Sequence, residues 1–223
     1  PTEENLDADL IENAHGDTIA LTNGCACCAI GDDLLAAARK AAVGGPDLVI
    51  VEASDRPDNN RWILDLVKGD DYFVGLVGNV DPYSPDFVAQ LTKLKKDPRY
   101  VGIRARNSKE KKAIDFSDKQ FIASLGELAK LNLTVDLLVN GQGIKAVTEI
   151  DQLARKIPQL HIVVDHVIGY NFDGKNPPKE WVAAVEKLAE NKNVWCKISG
   201  LYQRSIPQPA PHKIDHYKGV LDV

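Results

Sequence analysis

Residues 160–166, Leu160-His161-Ile162-Val163-Val164-Asp165-His166, join an apolar run to two reactive side chains at its end. A short apolar run rich in β-branched residues is typical of a strand that is covered on both faces. Comparable runs recur roughly every 30 residues from Phe73 onward, and amphipathic helical patterns separate them. Repeated βα units predict an α/β fold with a parallel sheet and helices packed outside it.

The predicted elements follow from these two periodicities. The strands are Thr18–Leu21, Asp47–Val51, Phe73–Val77, Tyr100–Arg104, Thr134–Val139, His161–Asp165 and Val194–Ile198. The helices are Asp33–Ala42, Asn60–Val67, Pro85–Leu94, Lys119–Lys130, Gly143–Lys156 and Lys179–Glu190. A polar, turn-rich seam at residues 55–60 separates a first segment, residues 1–55, from the regular repeats of residues 56–223.

Polar side chains at the strand ends favour one of two architectures. The repeat length fits either a (β/α)₈ barrel or a doubly wound open sheet, but barrel enzymes build their active sites at the carboxyl ends of the strands. The alternative is that these residues only mark where strands become loops. They are Asn79, Asp81, Arg104, Arg106, Asn140, Asp165, His166 and Ser199.

Composition limits the classes of partner. The net charge is −5 and basic residues are spread among acidic ones, which argues against a nucleic-acid-binding protein. The longest apolar runs are far too short to cross a bilayer, and no signal peptide is visible. Three of the four cysteines lie within residues 25–28, which suits a reduced, cytoplasmic protein better than a disulfide framework.

These three cysteines, Cys25, Cys27 and Cys28, form the most specific short motif. Thiolates this close together could converge on one soft metal ion such as zinc. The alternative is three small residues in a tight turn with no ligand. The motif and its surroundings resemble the CobW-type GTPases, which are metallochaperones with a Cys-x-Cys-Cys site. The resemblance rests on Asp7-Ala8-Asp9-Leu10-Ile11, Leu21-Thr22-Asn23-Gly24-Cys25-Ala26-Cys27-Cys28, Asp33-Leu34-Leu35 and Val51-Glu52-Ala53-Ser54.

This resemblance implies metal binding by the three cysteines, and a second function, metal delivery, remains open. The chain has no G-x-x-x-x-G-K-[ST] phosphate loop, so GTP hydrolysis is not expected of it. A non-catalytic scaffold or a fusion artefact is a third interpretation.

Residues 56–223 resemble the amidohydrolase-related barrel hydrolases, and the lactonase-like branch most of all. The resemblance rests on Asn59-Asn60-Arg61-Trp62, Val74-Gly75-Leu76-Val77-Gly78-Asn79-Val80-Asp81-Pro82, Val101-Gly102-Ile103-Arg104, Leu160-His161-Ile162-Val163-Val164-Asp165-His166 and Lys197-Ile198-Ser199-Gly200-Leu201. It implies attack of activated water on a lactone or related carboxylic derivative, assisted by zinc or another divalent metal.

The same resemblance suggests site residues. His166 matches an active-site histidine and is expected to act in catalysis and to bind the metal, although a hydrogen-bonded rim histidine is the alternative. Arg104 could hold a carboxylate or a developing oxyanion, although a structural ion pair is equally compatible with its position. Asn140 stands where many relatives carry a metal-binding histidine.

Five other residues have less specific interpretations. His161 begins its strand and is expected to be structural, and Lys197 is expected to form a salt bridge. Cys196 is expected to be a buried apolar residue. His212 and His216 have i, i+4 spacing that could place two ligands on one helix face, but the glutamate of H-E-x-x-H is missing.

Two missing motifs argue against full activity. The resemblance implies metal ligands from an H-x-H motif on the first strand and from an aspartate on the last strand. The chain has no H-x-H motif, and it stops at Leu221-Asp222-Val223, which we expect to precede that last strand. The hydrolase segment therefore holds about five of the eight βα units of a barrel. We expect a truncated hydrolase with weak or no activity, and unpaired strand edges that promote self-association.

Overall fold

The computed structural model describes residues 49–52, 59–105, 113–139, 141–211 and 213–223. Strands and helices alternate along these ranges, and every strand pairing described is parallel. The strands are β1 (Val49–Glu52), β2 (Phe73–Gly78), β3 (Tyr100–Ala105), β4 (Thr134–Leu137), β5 (His161–Val164) and β6 (Val194–Cys196). The helices are α1 (Asn59–Leu66), α2 (Phe87–Leu94), α3 (Lys119–Lys130), α4 (Gly143–Lys156), α5 (Lys179–Ala189) and α6 (Asp215–Leu221).

The chain divides into two compact units, of which the first comprises residues 1–80 and 89–101. Within it, β1 pairs in parallel with β2. Arg99 donates to the carbonyl oxygens of Val67 and Leu64 at 2.7 and 2.8 Å, and it pairs with Asp97 at 2.8 Å. A single guanidinium therefore donates to two carbonyls at the end of α1, where the helix itself leaves carbonyl groups without intrahelical partners.

The second unit comprises residues 81–88 and 102–223. Within it, β3 pairs with β4, β4 with β5 and β5 with β6, all in parallel and in chain order. Helix α3 begins where the Asp118 side chain accepts from the Phe121 N–H at 3.0 Å, which is a regular N-cap. Helices α3 and α4 each bury an apolar face, and the buried residues are Phe121, Leu125, Leu128, Val147, Ile150 and Leu153.

The predicted fold class is confirmed for the described residues, with small differences at strand ends. Helices α3 and α4 have the predicted bounds, whereas β4 ends at Leu137 and β6 at Cys196, two residues earlier than expected. The expected elements Thr18–Leu21 and Asp33–Ala42 lie outside the described residues.

Strand β6 exposes apolar surface. Trp195 is 50% exposed and Ile198, just past the strand, is 71% exposed. Cys196 is also exposed, so the expectation that it is a buried apolar residue is wrong. None of the helices that the structure describes is long and apolar enough for a membrane span. Self-association and a cytoplasmic location stay predictions.

Candidate active site

Four strands of the second unit each supply one charged side chain to a common layer. Arg104 in β3 lies opposite Asp136 in β4 in the strand register. Asp165 and Lys197 follow β5 and β6, where their backbone N–H groups still donate to Leu137 and Val164 at 3.0 and 2.9 Å. The pairing of the neighbouring parallel strands brings these four side chains together. We call Arg104, Asp136, Asp165 and Lys197 the charged layer.

Ion pairs join the members of the charged layer. Lys197 Nζ lies 2.5 Å from Asp136 Oδ2 and 3.0 Å from Asp165 Oδ1, and Arg104 Nε lies 3.0 Å from Asp165 Oδ2. The carboxylates are almost fully buried, with 2% and 0% exposure, whereas Arg104 and Lys197 side chains are 22% and 30% exposed. Buried carboxylates require such partners, since an unpaired buried charge is strongly unfavourable.

A third cation, Arg204, acts on one of these carboxylates, Asp165. Burial lowers the pKa of Arg204, and the negative charge of Asp165 opposes this by raising it. With Arg104 and Lys197, three cations thus act on Asp165. Fixed cations of this kind favour negative charge that develops on a bound substrate.

His166 follows Asp165 directly and lies at the carboxyl end of β5. Its Nδ1 is 2.9 Å from the Ser199 hydroxyl oxygen, so the strand-end residues of β5 and β6 are in contact. Its backbone has φ 52° and ψ 58°, in the left-handed region. Val167 and Ile168 continue this conformation with φ 51° and 56°, and Gly169 has φ 70°.

This left-handed turn, residues 166–169, is strained. Left-handed backbone costs an L-residue roughly 1–2 kcal/mol, and β-branched residues adopt it least readily. The turn persists because Val167 and Ile168 are buried and the Val167 N–H donates to the Lys197 carbonyl at 2.9 Å. Strain of this kind is concentrated at functional sites.

A groove opens beside the turn. It has a volume of about 540 Å³, within the range of small-molecule pockets. Ile168, Gly169 and Tyr170 form one wall, and the first residues of α4 and α5 form others. The Tyr170 and Trp181 rings pack there with centroids 4.6 Å apart and their planes inclined by 57°.

The described residues do not fit a divalent metal. None of their His, Cys, Asp and Glu side chains form a group of three that could hold an ion. The two carboxylates of the charged layer already have an ammonium and a guanidinium at contact distance, where a metal ion would be repelled. Metal binding by His166 therefore stays a prediction, and Cys25, Cys27 and Cys28 lie outside the described residues.

The structure brings several predicted site residues together. Arg104 contacts Asp165, and His166 contacts Ser199; the salt bridge expected of Lys197 is confirmed. Asn79 instead exchanges hydrogen bonds with Asn60 in the first unit, and Asp81 accepts from the Tyr83 N–H in a turn. His161 is exposed at the start of β5, with its ring edge against Trp195.

Other predicted residues fall elsewhere. Arg106, Asn140 and His212 lie outside the described residues, so the proposed His212–His216 pair is untested. His216 lies on α6, with its ring edge against Tyr217. Sequence reasoning missed Asp136 and Arg204. An isolated acidic residue within the apolar run of β4 was the available signal for Asp136.

Parallel βα units with reactive side chains at the carboxyl ends of their strands are typical of barrel enzymes. The chain belongs to the amidohydrolase family, whose model matches residues 31–223. That match begins upstream of the boundary expected near residue 55, and the resemblance of residues 1–55 to CobW-type GTPases finds no support in these comparisons.

Among curated proteins, L-fucono-1,5-lactonase of Burkholderia ambifaria is 28% identical over 181 residues, covering 76% of this chain and 57% of the lactonase. An uncharacterized protein of Sinorhizobium fredii is 28% identical over 149 residues, covering 63% of this chain and 49% of that protein. The chain thus spans about half the length of both relatives.

Solved structures share the fold. An amidohydrolase from Burkholderia multivorans, crystallised with HEPES, has a TM-score of 0.66 at 19% identity, over 81% of this chain and 64% of that one. A second crystal form of it, with bound zinc, has the same TM-score at 20% identity. A probable 2-pyrone-4,6-dicarboxylic acid hydrolase from Acinetobacter baumannii, with citric acid bound, has a TM-score of 0.56 at 17% identity, over 81% and 63%.

Proposed function

We propose that this protein hydrolyses a lactone or a related carboxylic derivative, with His166 as the proton-transferring residue. The observation that carries the proposal is the position of His166 at the carboxyl end of β5, directly after the charged layer. Membership of the amidohydrolase family and the similarity to L-fucono-1,5-lactonase support it.

The proposed reaction begins when the oxygen of a water molecule attacks the lactone carbonyl carbon and His166 accepts the proton that the water loses. The carbonyl π electrons move to the oxygen, which becomes an oxyanion. When the intermediate collapses, the ring C–O bond breaks, and the proton held by the histidine passes to the departing alkoxide. The product is a hydroxy acid, and the elements of one water have been added.

Arg104 and Lys197 are the proposed sources of oxyanion stabilisation. Both are partly exposed cations that pair with buried carboxylates, so each holds its positive charge in a fixed place that remains partly accessible. Preorganised charge needs no rearrangement during reaction, which is why it lowers barriers effectively. The groove beside the left-handed turn would accept the part of the substrate that does not react.

The test is hydrolysis of aldono-1,5-lactones, L-fucono-1,5-lactone among them, followed by acid release. We expect His166→Ala to lower kcat/KM by about 100-fold or more, as removal of a general base does. His161→Ala is the matched control, because His161 is exposed at the opposite end of β5 and should leave the rate unchanged. Equal rates for wild type and His166→Ala would refute the proposal.

Low turnover of this chain, expected from the missing motifs, stays a prediction. Robust turnover that depends on His166 would contradict it while supporting the proposed site. The metal-delivery alternative concerns the cysteines of residues 25–28 and has a separate test.

A further inference from the structure

We propose that the groove beside the left-handed turn binds an uncharged apolar ring of the substrate, so that this protein prefers lactones with an aryl or cycloalkyl substituent over polyhydroxylated or carboxylated ones. This inference rests on the proposed function, since it names the substrate class for the same site. Three observations carry it: the position of the groove, the chemistry of its lining and the sign of its charge.

The groove is continuous with the strand end that carries His166. Within the left-handed turn, the Gly169 N–H donates to the His166 carbonyl at 3.0 Å, and the Tyr170 N–H donates to the Val167 carbonyl at 3.0 Å. Gly169 and Tyr170 also line the groove, whose volume of about 540 Å³ suits a small molecule. A lactone held at the carboxyl end of β5 can therefore extend a substituent into the groove.

The lining of the groove is mainly apolar. Ile144 and Ile168 supply aliphatic surface, and Tyr170 and Trp181 supply aromatic surface. The Tyr170 ring contacts Trp181 with centroids 4.6 Å apart and the buried Phe172 with centroids 5.9 Å apart, so ordering this wall on binding costs little. Ile144 is 44% exposed, which leaves apolar surface that a ligand can remove from water.

The charge of the groove disfavours an anionic substituent. Among the lining residues that the structure describes, Glu180 is the only one with a charged side chain. Lys145 and Lys179 are sequence neighbours of lining residues, but neither of them lines the groove. A carboxylate bound there would therefore meet a like charge without a cation in the wall, which is unfavourable.

A polyhydroxylated substituent is disfavoured for a different reason. The amide of Asn171 and the carboxylate of Glu180 are polar groups of the lining, and both residues are exposed. Hydroxyl groups placed against the side chains of Ile144 and Ile168 would leave water without gaining a hydrogen-bond partner. An apolar ring incurs no such loss.

The first test measures binding apart from catalysis. A phenyl-substituted tetrahydropyran has the rings but no lactone carbonyl, and in NMR titrations of the full chain we expect it to bind at least about 10-fold more tightly than tetrahydropyran. Ile144→Asp should abolish this difference, and Ile144→Leu should keep it. Val88→Asp is the matched control, because Val88 is also the second residue of a helix and 44% exposed but does not line the groove.

A carboxylate on the phenyl ring tests the charge argument. We expect the carboxyphenyl analogue to bind about 10-fold more weakly than the phenyl compound or worse, and Glu180→Gln to recover part of that loss. Tighter binding of the carboxyphenyl analogue would overturn the inference.

Hydrolysis of δ-phenyl-δ-valerolactone and of δ-valerolactone should follow the binding data. We expect a KM at least about 10-fold lower for the phenyl compound with a similar kcat, because the groove binds a part of the substrate that does not react. Equal affinities of the two tetrahydropyrans, unchanged binding in Ile144→Asp, or a lower KM for L-fucono-1,5-lactone than for the phenyl compound would overturn the inference. Undiminished hydrolysis by His166→Ala would refute the proposed function instead, and the titrations would still decide what the groove binds.

Discussion

Replacement of Lys197 by methionine tests the charged layer most directly. The change keeps an unbranched side chain of similar length but removes the ammonium from Asp136 at 2.5 Å and Asp165 at 3.0 Å. Loss of one partner from a buried ion pair costs roughly 3–5 kcal/mol, and partial exposure of Lys197 places the expected cost near the lower end, about 3 kcal/mol.

Urea and thermal unfolding provide the assay. A loss of about 3 kcal/mol corresponds to a midpoint shift of roughly 1–1.5 M urea, or to a Tm lower by about 6–12 °C, for a chain of this size. Lys130→Met is the matched control: its ammonium lies 2.7 Å from Glu127 but is 72% exposed, and we expect an effect under about 0.5 kcal/mol.

A second variant separates lost charge pairing from lost packing. In Asp136→Asn combined with Lys197→Met, one carboxylate charge disappears with the ammonium, so we expect at least half of the lost stability to return. The reasoning fails if Lys197→Met unfolds like wild type, or if the double variant is no more stable than the single one.

Three further predictions concern other parts of the chain. The side-chain hydrogen bond from Arg99 holds the pKa of the Asp97 carboxyl below its ordinary value. This pair therefore stabilises the fold at pH values above the ordinary pKa, and the stabilisation is lost as the pH falls through the lowered pKa. In urea unfolding between pH 7 and pH 3, the free energy of unfolding of Arg99→Met should therefore depend less on pH than that of the wild type. Gly102→Ala should destabilise the fold by about 1–3 kcal/mol, because the new Cβ would clash with the side-chain hydroxyl and the backbone carbonyl of Thr134. Gly126→Ala, in open space on α3, should stabilise it slightly, and thermal unfolding measures both changes. If the cysteines of residues 25–28 bind zinc, metal analysis should find one equivalent that is lost on their change to serine while the fold persists.

The bounds of α3 and α4 were predictable because their signals are local, whereas α6 was not predicted. Asp118 caps α3, and the buried apolar residues of α3 and α4 continue into the last turn of each helix. Strand ends were less predictable, since a strand ends where pairing with its neighbour ends. Val139 remains buried beyond the last paired residue of β4, so apolar character alone overestimated the strand.

The candidate site was only partly predictable for a related reason. His166 and Arg104 stand out at strand ends, but the importance of Asp136 depends on Lys197, which is 61 residues away in sequence. Cys196 shows the converse error. Because side chains alternate between the two faces of a strand, Cys196 and Lys197 were correctly predicted to lie on opposite faces of β6. Whether the face with Cys196 is buried depends on which elements pack against it.

The charged layer also bears on how the sheet of the second unit assembles. Side chains alternate between the two faces of a strand, so a slip of β4 by one residue would turn Asp136 away from its cations and leave an apolar neighbour facing them. Such a misaligned intermediate would bury uncompensated charge, at several kcal/mol for each ion. Apolar strands with similar sequences could otherwise align in several ways during folding. We therefore expect these ion pairs to disfavour an incorrect register between β4 and its neighbouring strands before the core is fully packed.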